Sequence, residues 1–355
     1  VVSQSGTPVH KIQAAVLRTR GGPLRIETLE LEGPRDDEAL VRIVASGICH
    51  TDIDMSNSWD DSDGPVVLGH EGAGVVETIG KRVKSVKRGD HVVLSYQSCG
   101  RCRQCRSGHP TGCAHFYEAN FGFQRMDGTN ALHRSGVSGH FFGQSSFATH
   151  CLATERNLVR VPNDLPLELL APLGCGLQTG AGTVMNSLQV YGGASIAIFG
   201  TGSVGLAAVM AARVVGANPI IAVDINPLRL EIALELGATH VIDNRHAEVA
   251  SLIADITGGG VDYVLEITGD RKLYRVAAEI LNPHGTAAYL TGVSEPASLQ
   301  EGRRTISVIQ GDAVPHCCPP SPACILSPNT AVSNASHLGG NTIHRFPKNG
   351  PCKPA

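Results

Sequence analysis

Up to about residue 190 the apolar positions fall in short runs, Ala39 to Ile43, Ala73 to Glu77 and His91 to Ser95, set between turns rich in Gly and Asp. Runs of that length between turn signals predict strands, and few stretches carry a helical period, so this part reads as β-rich. Further on, Ser195 to Phe199, Ile220 to Asp224, His240 to Ile242, Tyr263 to Glu266 and Ala287 to Leu290 are apolar runs. They are separated by helix-like segments such as Leu228 to Leu236 and Leu273 to Leu281. Alternating strand and helix predict a doubly wound parallel sheet. The expected division is a β-rich domain over 1–185, an α/β domain over 186–314 and a distinct tail over 315–355.

The length of 355 residues agrees with two domains, and 42% hydrophobic against 17% charged residues supplies material for sizeable cores. A net charge of -3 offers no positive field for phosphate backbones or anionic lipid, so no nucleic-acid or membrane partner is expected. Ala171 to Ala212 carries no charge, but Gly192, Gly193, Gly200, Gly202 and Gly205 interrupt it, against a membrane helix. Eleven cysteines are too sparse for a disulfide-stapled scaffold. The polar start from Val1 to Lys11 has no signal-peptide pattern, so a reducing cytoplasmic setting is the expectation.

Candidate chemistry is sharpest in two places. Ile196 to Phe199 delivers Gly200-Thr-Gly202-Ser-Val-Gly205 into the helical run Leu206 to Val214. Gly200 permits a tight turn, Gly202 lets the backbone approach a pyrophosphate, and Gly205 allows close helix–strand packing. Asp224 closes the next strand, where a carboxylate accepts hydrogen bonds from an adenosine ribose and repels a 2'-phosphate, favouring NAD over NADP. In the first half, Cys99, Cys102, Cys105 and Cys113 stand within fifteen residues beside Arg101, Arg103 and Arg106. Four thiolates so spaced can surround one tetrahedral zinc. Disulfides, an iron–sulfur cluster and reduced core cysteines are the other readings, and a DNA-reading zinc module lacks its recognition helix.

A closed four-cysteine site cannot activate a substrate, which directs attention to Cys49, His70 and Cys175 as three ligands of an open one. Each alone is an ordinary buried residue type. Their surroundings, Gly47-Ile-Cys49-His50-Thr51-Asp52, Gly69-His70-Glu71-Gly72-Ala73-Gly74 and Gly174-Cys175-Gly176-Leu177-Gln178-Thr179-Gly180, resemble the zinc-dependent medium-chain alcohol dehydrogenases. The likeness runs from about Ala14 to Pro315 and includes the cysteine lobe and the glycine turn. Phe141 to Thr149 and Pro166 to Leu170 are most similar to the aryl-alcohol branch, which handles benzyl and allylic alcohols.

The resemblance implies a GroES-like β-rich catalytic domain followed by a Rossmann nucleotide domain, in an α/β plus β protein. It implies NAD and two zinc ions per subunit, one catalytic on Cys49, His70 and Cys175 and one structural on Cys99, Cys102, Cys105 and Cys113. Asp52 would orient the His70 imidazole, Glu71 would lie behind the metal, and Thr51 would take the alcohol proton. His50 would face the pyrophosphate, with Thr179, Val204 and Gly292 at the nicotinamide and Arg229 near the adenosine ribose. Phe142 and Val293 would line the substrate pocket. A small alcohol or aldehyde is the implied partner, in a homodimer or homotetramer.

Two departures stand out. Asp54 occupies the place where liver-type members carry the last histidine of the proton relay, which leaves the proton exit open. From Pro315 to Ala355 there are eight prolines, four cysteines and no Asp or Glu, a composition not expected to build helix or sheet. The expectation is a non-native or disordered tail, such as a shifted reading frame would give; Cys317, Cys318, Cys324 and Cys352 match no tetrahedral spacing. Besides aryl-alcohol oxidation, the sequence leaves open an aliphatic-alcohol or polyol dehydrogenase, or an inactive relic that still binds NAD and zinc.

Overall fold

Residues 9–291 and the short strand 307–309 are described by a computed structural model. The first domain opens with β1 (Val9–Leu17), β2 (Arg25–Glu32) and β3 (Glu38–Gly47), then helix α1 (His50–Ser58), β4 (Val66–Val67), β5 (Glu71–Ile79) and β6 (His91–Leu94). Short helices α2 (Arg103–Arg106) and α3 (Phe116–Phe121) follow, then β7 (His150–Thr154), β8 (Leu158–Val161) and α4 (Leu167–Leu170). The strands form a three-stranded sheet in the order β2-β1-β4 and a five-stranded sheet in the order β7-β3-β5-β6-β8. Their pairings are antiparallel, and β1 alternates buried Ile12, Ala14 and Val16 with more accessible neighbours, the mark of a strand with one face on a core. Arg125 pins the loop after α3 to both sheets: its guanidinium donates to Glu38 at 2.6 and 3.1 Å and to Glu32 at 2.9 Å, all three largely buried.

Helix α5 (Gly176–Gly182), extended by a π-turn over Thr183–Ser187, carries the chain into the second domain, where Val184 and Leu188 join its core. There β9 (Ile196–Phe199), α6 (Ser203–Val214), β10 (Ile220–Asp224), α7 (Pro227–Leu236), β11 (His240–Asp243), α8 (Val249–Thr257), β12 (Val261–Glu266), α9 (Arg271–Glu279), β13 (Leu281–Tyr289) and β14 (Ser307–Ile309) alternate. The six strands form one parallel sheet in the order β11-β10-β9-β12-β13-β14. Helices cover both faces, which is why β9 and β10 read as unbroken apolar runs: Ile196 and Ile198 enter one core, Ala197 and Phe199 the other. The order reverses between β9 and β12, and the crevice at such a switch point is where open α/β sheets bind ligands.

Helix boundaries follow local chemistry. The Asn226 side chain accepts from the amides of Leu228 and Arg229, and Pro227 fits the first turn, so α7 begins one residue before the predicted Leu228. The helix predicted over Leu273 to Leu281 instead spans Arg271–Glu279. Asp270 caps its start, and Leu281 enters the sheet opposite Val261. Strand β13 is correspondingly longer than the predicted run, because Asn282, Pro283, His284 and Gly285 break the apolar pattern while the backbone stays in the sheet across a register shift. The tail over 315–355 lies outside the described residues. Among the described residues no helix is long and apolar enough to cross a membrane.

Candidate active site

The site is built where β3 ends. Gly47 lies against Glu71, and a Cβ there would stand 2.1 Å from Glu71 Oε2 and force that carboxylate to move. Two residues on, Cys49 is the N-cap of α1. Asp52, in the first turn, accepts from the Cys49 amide at 3.0 Å through Oδ2, and from the Gly69 amide at 3.0 Å and His70 Nδ1 at 3.1 Å through Oδ1. One carboxylate therefore sets the helix start, the approach to β5 and the His70 tautomer. His70 Nε2, left buried, has no hydrogen-bond partner.

Cys175 caps α5 from the far end of the domain and brings its sulfur to 4.0 Å from that of Cys49. Cys49, His70, Glu71 and Cys175 have their ligand atoms within 4.8 Å of one another. An orphaned imidazole nitrogen among two sulfurs and a carboxylate is a donor set that fits zinc. Electrostatics agree. The hydrogen bond from Cys175 holds the Cys49 thiol down at about 3 and raises Cys175 itself well above the ordinary range, so the pair shares one negative charge. Burial works to lower the His70 pKa, but its bond to Asp52 and the negative charges of Asp52 and Cys49 prevail and lift it to about 10. Burial, then the Cys49 charge, pushes Glu71 up to about 7 while Gly176 donates to its Oε1 at 3.2 Å. Thr51 is buried in the first turn of α1, its hydroxyl 3.7 Å from Cys49 Sγ, and His50 beside it is exposed.

The second cluster is local. Cys99, Cys102, Cys105 and Cys113 also converge within 4.8 Å, and all seven described cysteines are free, which removes the disulfide reading for these four. Backbone amides of Cys99, Cys102, Cys105, Ala114 and His115 donate to their sulfurs at 3.3–3.5 Å. Bonds to the charged form favour thiolate, and those of Cys105 and Ala114 lower the Cys102 pKa to about 6. This too is a donor set for zinc.

The glycine turn abuts the first cluster. Gly200 has φ 93° and Gly205 packs so close that a Cβ would meet the Gly200 carbonyl at 1.8 Å. A Cβ on Gly176 would touch Ser203 Oγ at 3.2 Å, so the helix begun by Cys175 borders the helix begun by the glycine turn. Thr179 and Val204 lie on those two helices, α5 and α6. Asp224 accepts from the Thr201 amide at 2.6 Å and hydroxyl at 2.9 Å, and from the Asn226 amide at 2.8 Å. Burial raises its pKa, these donors and the Arg229 charge lower it, and the balance keeps it ionised. Gly292 and Val293 lie outside the described residues.

Residues 35–163 match the family described as Alcohol dehydrogenase GroES-like domain, and 203–310 that described as Zinc-binding dehydrogenase. Over 289 residues the chain is 47% identical to a geraniol dehydrogenase of Castellaniella defragrans, covering 80% of this chain and 77% of the relative. Two solved structures superpose closely. One is an alcohol dehydrogenase zinc-binding domain protein from Burkholderia ambifaria (TM-score 0.82, 48% identity, 87% and 86% of the two chains). The other is benzyl alcohol dehydrogenase from Acinetobacter calcoaceticus (TM-score 0.81, 42% identity, 86% of each). The chain belongs to the zinc-dependent medium-chain alcohol dehydrogenases.

In this dehydrogenase the GroES-like domain supplies Cys49, His70 and Cys175, and the Rossmann-like domain brings the glycine turn beside them; NAD and two zinc sites belong to each subunit. Phe142 is buried, its ring stacked on His70 at 4.5 Å and edge-on to Phe121 at 5.0 Å. Pattern reading missed the role of Gln144, whose buried amide donates to the His70 carbonyl at 2.9 Å and the Ser95 carbonyl at 3.2 Å and accepts from the Gly72 amide at 3.2 Å. No spacing rule marks such a strut; only packing does. A cavity of about 530 Å³ lies elsewhere, between Arg35, Arg125, His140 and Arg156 beside the cysteine lobe.

Proposed function

We propose that the dehydrogenase oxidises aromatic or allylic primary alcohols to aldehydes with NAD, reversibly, through Cys49, His70 and Cys175. The observation that carries this reading is the buried cluster of two sulfurs and an unpartnered imidazole nitrogen at the junction with the glycine turn. Zinc bound there supplies a Lewis acid that lowers the pKa of an alcohol hydroxyl, and NAD supplies the hydride acceptor. Asp52 holds the His70 ring in the tautomer that frees Nε2 for the metal. Thr51, the buried hydroxyl nearest Cys49, takes the alcohol proton and passes it outward, with His50 and Asp54 exposed beyond it on α1. Thr179 and Val204, with Gly292, hold the nicotinamide; Asp224 and Arg229 hold the adenosine ribose, and Asp224 sets the preference for NAD.

The aromatic or allylic class is supported by the likeness to the geraniol and benzyl alcohol enzymes. A cytoplasmic homodimer or homotetramer completes the proposal. Metal-quantified protein assayed for NADH with benzyl alcohol, ethanol and sorbitol tests it. The expected result is kcat/KM highest for benzyl alcohol by at least about tenfold. Highest turnover of ethanol or sorbitol would reassign the substrate class, and no NADH from any of the three would overturn the enzyme reading.

A further inference from the structure

Cys49, His70 and Cys175 come from three separate segments of chain, and a metal ion accepts errors of only about 0.2 Å in where they place its ligands. Asp52 orients the His70 ring, but a side chain is only as well placed as the backbone beneath it. That backbone is gripped by residues 144–146, all three of them buried. The Ser146 amide donates to the Gly69 carbonyl at 2.9 Å. The Gln144 side chain donates to the His70 carbonyl at 2.9 Å and accepts from the Gly72 amide at 3.2 Å. Gly72 is packed against both side chains: a Cβ there would stand 2.8 Å from Ser146 Cβ and 3.0 Å from Gln144 Oε1.

The same stretch reaches the other two ligand segments. Ser146 Oγ shares a hydrogen bond of 2.8 Å with Ser46 Oγ on β3, three residues before Cys49. Gln144 Nε2 also donates to the Ser95 carbonyl at 3.2 Å, just past the end of β6. Ser95 Oγ donates in turn at 3.1 Å to the carbonyl of Gly174, the residue before Cys175, and accepts from Gln178 Nε2 at 2.9 Å. Gln178 donates to the Gly174 carbonyl as well. Gly174 lies so close to β6 that a Cβ would meet the Leu94 carbonyl at 1.8 Å.

We infer that Gln144 is a positioning residue for the catalytic zinc, and that with Ser95 and Ser146 it forms a splint that fixes the spacing of the Cys49, His70 and Cys175 segments before the ion arrives. The inference rests on the zinc reading of that cluster. The sulfurs of Cys49 and Cys175 stand 4.0 Å apart and repel each other once both are ionised, so without the metal their segments are driven apart. Hydrogen bonds to the backbone behind each ligand oppose that repulsion without occupying a ligand atom. The ion then meets a site already ordered, and less of its binding energy is spent on gathering the chain. An amide suits the central place because it offers two donors and an acceptor at once, and Gln144 uses all three.

The test reads zinc affinity by chelator competition on the full chain, with the curve of Cys175→Ser marking the ion held by the four cysteines. Gln144→Met keeps the length of the side chain and loses its three hydrogen bonds, and Ser95→Ala loses only the link to Gly174 and Gln178. Each is expected to weaken the catalytic zinc by about tenfold or more while the other ion stays bound. With cobalt in place of the catalytic zinc, Gln144→Met should also shift the thiolate–cobalt absorption band. Ser195→Ala, which breaks a hydrogen bond to Asp262 in the second domain, should lower thermal stability and move neither readout. Unchanged zinc affinity in Gln144→Met overturns the splint, whatever the melting temperature, and unchanged affinity in Ser95→Ala removes the Cys175 segment from it. An equal loss of zinc from Ser195→Ala also overturns it, by assigning the effect to stability alone. Where Gln144→Met fails to fold, Ser95→Ala and Ser146→Ala carry the same test. A wild type that holds a single zinc per subunit, on the four cysteines, marks failure of the zinc reading of the cluster itself.

Discussion

His70 has two ring nitrogens with opposite fates: Nδ1 is tied to Asp52, and Nε2 has no protein partner although it is buried. A buried polar atom left in that state is costly unless a ligand completes it, so the residues around it form a metal site rather than a polar core. Cys175 supplies the third donor. For Cys175→Ser the expected outcome is loss of the catalytic zinc alone, with metal analysis falling from two ions per subunit to one. Turnover should drop by at least about a thousandfold while NAD still binds. Two ions and an ordinary rate would remove Cys175 from the ligand set. Chain-local chemistry was legible here: Cys99 to Cys113 and Gly200 to Gly205 each fall within fifteen residues. Cys49, His70 and Cys175 stood out only through the motifs around them, because single cysteines and histidines carry no signal of their own. Phe142 was named from the motif around it, but the left-handed backbone of Phe123 and Phe142, φ 52° and 53°, was not legible, since pattern rules assign it to glycine.

Among elements, the close contact of α5 with α6 bears directly on the site. A Cβ on Gly180 would lie 1.9 Å from the Val204 carbonyl and 2.9 Å from the Ala208 amide. Gly180→Ala must push the helix that starts at Cys175 away from the helix that starts at the glycine turn. We predict a stability loss of about 2 kcal/mol or more by denaturant titration, with KM for NAD raised more than by Gly258→Ala, which strains a left-handed glycine at the end of α8. Equal effects of the two would show that the spacing of α5 and α6 does not matter to the cofactor. Strand positions were read well where burial is two-sided, as at Ile220 to Asp224, which β10 reproduces residue for residue. Errors gathered at α9 and β13, where a helix period and a strand abut at Ile280 and tertiary pairing with Val261 fixes the boundary.

At the scale of the whole molecule, one buried histidine of the first domain makes stability sensitive to acid. His140 is buried; desolvation, then the charges of Arg125 and Arg35, depress its imidazole to about 3, and its Nε2 accepts from the Ala131 amide at 3.2 Å. The unfolded chain, with an ordinary histidine near 6.5, then binds more protons than the native state between these values. Stability is fully present above about pH 6.5 and declines as pH falls toward 3, at up to about 1.4 kcal/mol per unit from this residue. His140→Asn, which tolerates the φ of 62°, should flatten the slope of unfolding free energy between pH 6.5 and 5. An unchanged slope would assign the acid sensitivity elsewhere. Domain order and the two-domain plan were legible from composition and periodicity alone. The passage between domains was not, since Val184 and Leu188 look like any apolar residues until they are seen in the second core.

The two metal sites differ in how much chain each must gather. Cys99 and Cys113 are 14 residues apart, a loop that closes early and at small entropic cost, while Cys49 and Cys175 are separated by 126. During synthesis the lobe can therefore be metallated once Cys113 has emerged, before the second domain exists. The catalytic ion must wait until Cys175 arrives, and turnover must wait longer still, for the nucleotide domain that follows Cys175 in the chain.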